Sequence, residues 1–174
     1  GHSMSDPGSY RSKEEVEAMY RKIDAILGVY LDNADESTYV VLSSDHGIAA
    51  LNRKVNVNNL FARKGWLKFT LNPETGEPLI DWRNSSVIFL KMDNVYICPT
   101  GLAGNWTRCS GPEYELLRDE VIAALQGLED PETGVRPVGL VVKWEDSEEY
   151  LDLPRDRVGD LIIANKPGYG WDEE

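Results

Sequence analysis

The sequence predicts an α/β fold, and two patterns predict it. Short runs of β-formers (Tyr39-Val40-Val41-Leu42, Val87-Ile88-Phe89-Leu90, Val95-Tyr96-Ile97-Cys98, Leu161-Ile162-Ile163-Ala164) alternate with longer segments whose apolar residues recur at helical spacing. The first run has no polar residue between its apolar ones, which is the signature of a strand buried on both faces, so at least part of the sheet is expected to be parallel.

The elements follow in order. Gly1-His2-Ser3-Met4 reads as the remnant of a tag, and residues 1–11 as a tag or N-terminal loop ahead of a domain over 12–174. Ser12 with Glu15 three residues on is a capping-box pattern. Val16, Met19, Tyr20, Ile23, Ile26, Leu27, Tyr30 and Leu31 then form one apolar stripe, so a helix is expected to about Asn33, with a turn at Asp35–Thr38 leading into the first strand. Val55–Gly65 reads as a second helix with Val57, Leu60 and Phe61 inward and Gly65 as its stop. Trp66, Leu67 and Phe69 suggest an extended segment, and Asn72-Pro73-Glu74-Thr75-Gly76 is turn chemistry. The runs at 87–90 and 95–98 make a plausible hairpin. Thr100–Gly111, with three glycines, reads as loop; Pro112 opens a helix through about Gln126 with Tyr114, Leu117, Val121, Ile122 and Leu125 on one side. Asp130–Gly134 is a second turn, Val138–Trp144 a strand, Glu145–Tyr150 a single helical turn, Leu161–Ala164 the last strand, and Pro167–Gly170 a break.

Composition narrows the function. A chain of 174 residues, 41% hydrophobic, with five tryptophans and eight tyrosines, is long enough for one good core. A formal net charge of −12 argues against binding a nucleic acid polymer or an anionic membrane surface, though not against a phosphate-bearing substrate, because a bound metal ion reverses the local sign of charge. No apolar run approaches the ~20 residues of a membrane helix, and no signal-like opening supports secretion, which favours a cytoplasmic location. Cys98 and Cys109 lack metal-ligand spacing; a disulfide is possible on count, with two free thiols the expected state. Asn105-Trp106-Thr107 matches the glycosylation sequon, a pattern common by chance.

The most informative residues are Ser44-Asp45-His46-Gly47, directly after the first apolar run. Ligand sites of open α/β sheets lie beyond the carboxyl ends of strands, carboxylate and imidazole both bind divalent ions, and glycine permits a sharp turn beside them. Asp45 and His46 are therefore candidate metal ligands. The residues alone also allow a plainer reading, in which Asp45 caps the following segment and His46 is an ordinary loop histidine.

Tyr20-x-x-x-Asp24-x-x-x-Gly28, the turn ending in Thr38 and the stretch Val40–Gly47 together resemble the alkaline phosphatase superfamily, and within it the type I phosphodiesterase/nucleotide pyrophosphatase family. Val57-Asn58-x-Leu60, Gly65-Trp66-Leu67, Ile80-Asp81-Trp82, Val95-Tyr96-Ile97, the Glu113–Leu128 segment with Asp130-Pro131, and Gly159-Asp160-Leu161 continue the likeness in order, from about Lys13 to Tyr169. The resemblance implies part of an alkaline-phosphatase-like three-layer sandwich, with a mainly parallel sheet and a small β-hairpin insertion. It implies hydrolysis of phosphate esters, with a small phosphate ester or nucleotide as substrate, by a threonine or serine alkoxide that forms a covalent phospho-enzyme. Two divalent metals, usually zinc, serve that reaction, and Asp45 and His46 match the two ligands of the metal that contacts the nucleophile.

The same comparison exposes gaps. The family pattern also needs an upstream aspartate, the nucleophile, an Asp-x-x-x-His pair and a further histidine. The sequence has two histidines, His2 and His46. His2 either belongs to the Asp-x-x-x-His pair or, as favoured here, to the tag remnant. Neither Ser43 nor Ser44 is assigned to attack. The expectation is therefore a fragment, the C-terminal part of a catalytic domain, inactive alone and prone to self-association through surface left open. The alternatives are a non-catalytic binding or assembly module of the same fold, or another branch such as a sulfatase or a cofactor-independent phosphoglycerate mutase.

Overall fold

A computed structural model describes residues 13–47 and 49–172. The chain divides into two compact units, Gly1–Ala50 and Leu51–Glu174.

In the first unit, α1 spans Lys13–Asp32, close to the bounds the apolar spacing predicts, and carries Glu14 and Glu15 in its first turn, where carboxylates favour the helix dipole. The Ser12 cap lies outside the described residues. Asn33 closes the helix by donating its side-chain amide to the Val29 carbonyl at 2.7 Å. Asp35 then organises the predicted turn, its Oδ1 accepting from the Ser37 amide at 3.0 Å and from the Ser37 and Thr38 hydroxyls at 2.7 Å each. The strand expected at Tyr39–Leu42 does not form. These residues are irregular, and Tyr39 and Val41 are 94% and 84% exposed. A strand needs a neighbour to take its N–H and C=O groups, and among the described residues of this unit there is no other strand. The apolar stripe of α1 is likewise open, with Met19, Tyr20, Ile23, Ile26 and Tyr30 all exposed.

The second unit holds the core. Its strands are β1 (Arg53–Val55), β2 (Phe69–Leu71), β3 (Pro78–Ile80), β4 (Val87–Leu90), β5 (Asn94–Ile97), β6 (Val138–Lys143), β7 (Leu161–Asn165) and β8 (Tyr169–Trp171). Its helices are α2 (Val57–Arg63), α3 (Pro112–Gln126) and α4 (Ser147–Leu151), the last preceded by a 3₁₀ turn at Trp144–Asp146. The main sheet runs β4-β5-β7-β6. Contrary to the expectation of a mainly parallel sheet, every pair in it is antiparallel, and only the separate β1–β8 pair is parallel. For the β4–β5 pair the cause is linker length. Lys91–Asp93 joins β4 to β5, and a link that short can only reverse the chain. The reversal is made by Met92 and Asp93, with φ of 62° and 63°.

β2 and β3 form a second hairpin, Phe69 opposite Ile80, closed by the predicted Asn72–Gly76 turn. The sequence reading placed no strand at β1, β3 or β8, each only three residues long. β8 forms where Pro167–Gly170 reads as a break, because its partner β1 lies more than a hundred residues away in sequence. α3 has the predicted bounds, and Tyr114, Val121 and Leu125 face inward as its periodicity requires. α2 is two residues shorter at each end than the sequence suggests; Asn56 caps it by accepting from the Asn59 amide, and Gly65 ends the following turn at φ 76°.

The core joins Val57 and Phe61 of α2, Val87 and Phe89 of β4, Val95 of β5, Val121 and Leu125 of α3, and Leu161 and Ile163 of β7. One buried charge sits at its border. Asp160, fully buried, accepts from the Ile97 amide (2.6 Å), Arg108 Nε (3.1 Å) and the Tyr114 hydroxyl (2.8 Å). It thereby holds β5, the 98–111 loop and α3 to the start of β7. Burial pushes its carboxyl above the usual carboxylate range despite these three donors. The residue before it must be glycine on steric grounds: a Cβ at Gly159 would stand 2.6 Å from the Val95 carbonyl oxygen.

Two predictions follow from the charges. Asp160→Ala leaves the largely buried Arg108 without its carboxylate and is expected to cost about 3 kcal/mol or more of unfolding free energy, read from the urea midpoint; an unchanged midpoint would show that the cluster does not hold the fold. The second concerns Asp130, whose carboxyl accepts from the Glu132 amide, the Thr133 and Tyr169 hydroxyls and faces Arg53. These contacts, the amide first, hold it below its ordinary 3.8. Its contribution is therefore complete above about pH 4 and is lost as pH falls through the lowered value. The stability difference between the natural chain and Asp130→Asn should shrink on acidification below pH 4, and a difference that grows there would contradict the assignment.

Candidate functional site

The Ser44–Gly47 turn is held together by its own atoms. The Ser44 hydroxyl donates to the His46 carbonyl at 2.7 Å, and the His46 amide donates to Asp45 Oδ1 at 3.0 Å. His46 Nδ1 lies 2.8 Å from the Gly47 carbonyl oxygen. A carbonyl only accepts, so Nδ1 carries the hydrogen, and in the neutral ring Nε2 presents a lone pair. That nitrogen lies 3.4 Å from Asp45 Oδ2. The Asp45 and His46 side chains are 87% and 58% exposed. Asp45 and His46 are neighbours in the chain, and the structure turns their side chains toward each other. Among the described residues no group of three or more His, Cys, Asp or Glu side chains stands close enough to hold a metal ion. His2 lies outside the described residues.

Ser44 is spent on the turn: its hydroxyl hydrogen goes to the His46 carbonyl, which fits its not being assigned as a nucleophile. Ser43 is exposed.

Two cavities of the second unit differ in character. One, of about 750 Å³, lies between the β2–β3 hairpin and β4, with Leu71, Ile80, Trp82, Ile88, Met92 and Tyr96 among its walls. Its lining is mainly apolar, with Lys91 and three asparagines at its polar part. The other, of about 370 Å³, is lined by Arg53, Lys54, Arg63, Asp130 and Tyr169. Its Arg53 is already neutralised, with Nη1 2.8 Å from Glu132 Oε2 and Nε 3.3 Å from Asp130 Oδ2. Sequence reasoning missed these groupings. Asp130 was visible as a turn residue and as part of the family likeness but not as a buried carboxylate, and the Arg118 that α3 buries sits four residues after Tyr114 in what reads as a purely apolar stripe. In the structure Arg118 bonds Glu145 at 2.7 Å and the Tyr114 hydroxyl at 3.3 Å.

The described residues thus form a mixed α/β architecture, with the Asp-His-Gly turn in the first unit. The family model described as Type I phosphodiesterase / nucleotide pyrophosphatase matches residues 1–172, and the chain belongs to that family, hence to the alkaline phosphatase superfamily. No curated protein and no solved structure matches the chain. Among the described residues no helix is long and apolar enough to cross a membrane.

The turn's geometry makes a spectroscopic prediction. Long-range ¹H–¹⁵N spectra of His46 at a pH where its ring is neutral should show the Nδ1–H tautomer, the minor form of free histidine. A dominant Nε2–H form would mean that the Gly47 contact does not persist in solution.

Proposed function

We propose that this chain is the C-terminal part of the catalytic domain of a metal-dependent phosphodiesterase/nucleotide pyrophosphatase, and that Asp45 and His46 are two ligands of one of its two divalent ions, zinc by preference. The observation that carries the reading is the spacing of their donor atoms. Zinc bonds of about 2.0–2.2 Å at tetrahedral angles put two ligand atoms about 3.4 Å apart, and Asp45 Oδ2 and His46 Nε2 are separated by 3.4 Å. The Gly47 carbonyl supports it, since a metal-binding histidine ordinarily donates its other N–H to such an acceptor.

The division of labour follows from the turn. Asp45 contributes an anionic oxygen, its other oxygen fixed by the His46 amide. His46 contributes a neutral nitrogen, its proton held on the far side of the ring. Ser44 locks the backbone between them. When bound, the metal supplies Lewis-acid chemistry, drawing charge from a phosphoryl oxygen and easing loss of a proton from a hydroxyl. The substrate class is a small phosphate ester or nucleotide.

Two ligands fall short of the three or four that hold zinc firmly, so the chain alone is expected to lack turnover. The open apolar stripe of α1 supports the fragment reading, because such a stripe normally faces a core; the isolated chain should accordingly self-associate. A second reading, a non-catalytic binding or assembly module, draws on the same incomplete ligand set.

Calorimetry should detect weak zinc binding that disappears in Asp45→Asn and His46→Gln, with neither variant less stable than the natural chain. Bis(nitrophenyl) phosphate should not be hydrolysed by the 174-residue chain. Zinc binding that survives both substitutions would remove the metal assignment, and brisk hydrolysis by the isolated chain would remove the fragment assignment. Hydrolysis gained on supplying a segment with a serine or threonine nucleophile and further ligands favours the enzyme; continued inactivity favours the module.

A further inference from the structure

The two cysteines stand 11 positions apart, as β5 ends and shortly before α3 begins, yet the fold closes the loop between them. The closure is made by residues adjacent to each cysteine. The Ile97 amide and Arg108 Nε bind the two oxygens of the same Asp160 carboxylate, at 2.6 and 3.1 Å. The Trp106 indole N–H donates to the Cys98 carbonyl at 3.1 Å, tying the far arm of the loop to the near one. The Cys98 amide donates to the Ser86 carbonyl at 2.8 Å, while its φ of 52° turns the chain out of the β5 ladder. Both side chains are partly exposed free thiols.

We propose that Cys98 and Cys109 are a redox-active dithiol, oxidised by a hydroperoxide or a low-molecular-weight disulfide to an intramolecular cystine that closes the 99–108 loop. Burial, and the Cys109 thiol beside it, push the Cys98 thiol up to about 12. With Cys98 holding its proton, Cys109 is the attacking sulfur. Its thiolate takes the terminal oxygen of the hydroperoxide, the O–O bond breaks, and the alcohol leaves with a proton. The resulting sulfenic acid no longer presents a thiolate to Cys98, which removes part of what held the Cys98 proton. Cys98 sulfur then attacks Cys109 sulfur, the S–O bond breaks, and hydroxide leaves as water with the Cys98 proton. The sum is two thiols and one hydroperoxide giving one disulfide, one alcohol and one water. The two electrons lost by sulfur reduce the peroxide. With a disulfide as oxidant, two of its thiols are released instead.

The test is equilibration of the natural chain in glutathione redox buffers, with acid quenching, alkylation and mass spectrometry. The expected product is a monomer lighter by two hydrogens, with a peptide joining Cys98 to Cys109. Its effective thiol concentration should exceed that of the same chain in concentrated urea by about tenfold or more, because the unfolded loop holds its ends together only loosely. An equal or lower value in the folded chain overturns the proposal, as does oxidation that yields only glutathione adducts or dimers linked between chains. Single variants test the order of attack. Cys109 in Cys98→Ser should acquire glutathione several times faster than Cys98 does in Cys109→Ser, and the reverse ranking overturns the assignment of Cys109 as nucleophile.

Discussion

The Asp160 carboxylate is the constraint around which the second unit is arranged. An ion without solvent is costly unless donors surround it, and here the donors come from three different elements: a β5 amide, a loop guanidinium and an α3 hydroxyl. None of these elements can move without stripping a partner from a buried charge. The arrangement also fixes other groups at second hand. Arg108, bound to Asp160, sits over Trp144 with its guanidinium carbon 4.2 Å from the ring centroid, closer to that ring than to Trp106 at 5.3 Å. The Trp144 amide in turn donates to the Asp160 carbonyl at 3.1 Å. The end of β6, the loop and the start of β7 thus close on one residue.

How much of this the sequence discloses depends on the range over which each signal acts. α1 and α3 were legible because a helix satisfies its own backbone and announces its buried face every three or four residues. Turns at Asn72–Gly76 and Asp130–Gly134 were legible for the same reason: proline, glycine and a capping side chain act within five residues. Strands were harder. The run at 87–90 formed one and the run at 39–42 did not, although both are four β-formers in a row. What separates them is a partner, and Val87–Leu90 has one three residues further on, while no described residue offers one to Tyr39–Leu42. The directions of β6 and β7 in the main sheet, and the short strands β1 and β8, are likewise decided by pairings that no local window contains.

The site shows the same division. Asp45 and His46 are candidates read from four consecutive residues, and hydrogen bonds within those four shape the turn that carries them. The buried ion clusters of the second unit were not identified, because each is completed by a partner far along the chain: Glu145 for Arg118, 27 positions away, Arg108 for Asp160, 52 away, and Arg53 for Asp130, 77 away. Family membership rests on the ordered set of such local signals over residues 1–172, which is why it could be inferred where the sheet topology could not.

The self-contained character of the Ser44–Gly47 turn has an evolutionary side. A pair of side chains whose spacing depends on distant strands is at risk from every insertion or deletion between them. Here three hydrogen bonds within the tetrapeptide align the carboxylate, the ring and the backbone. Those bonds span at most two positions, so a loop on either side can lengthen without changing the register between the atoms they join. A sequence that keeps the tetrapeptide carries this local arrangement with it.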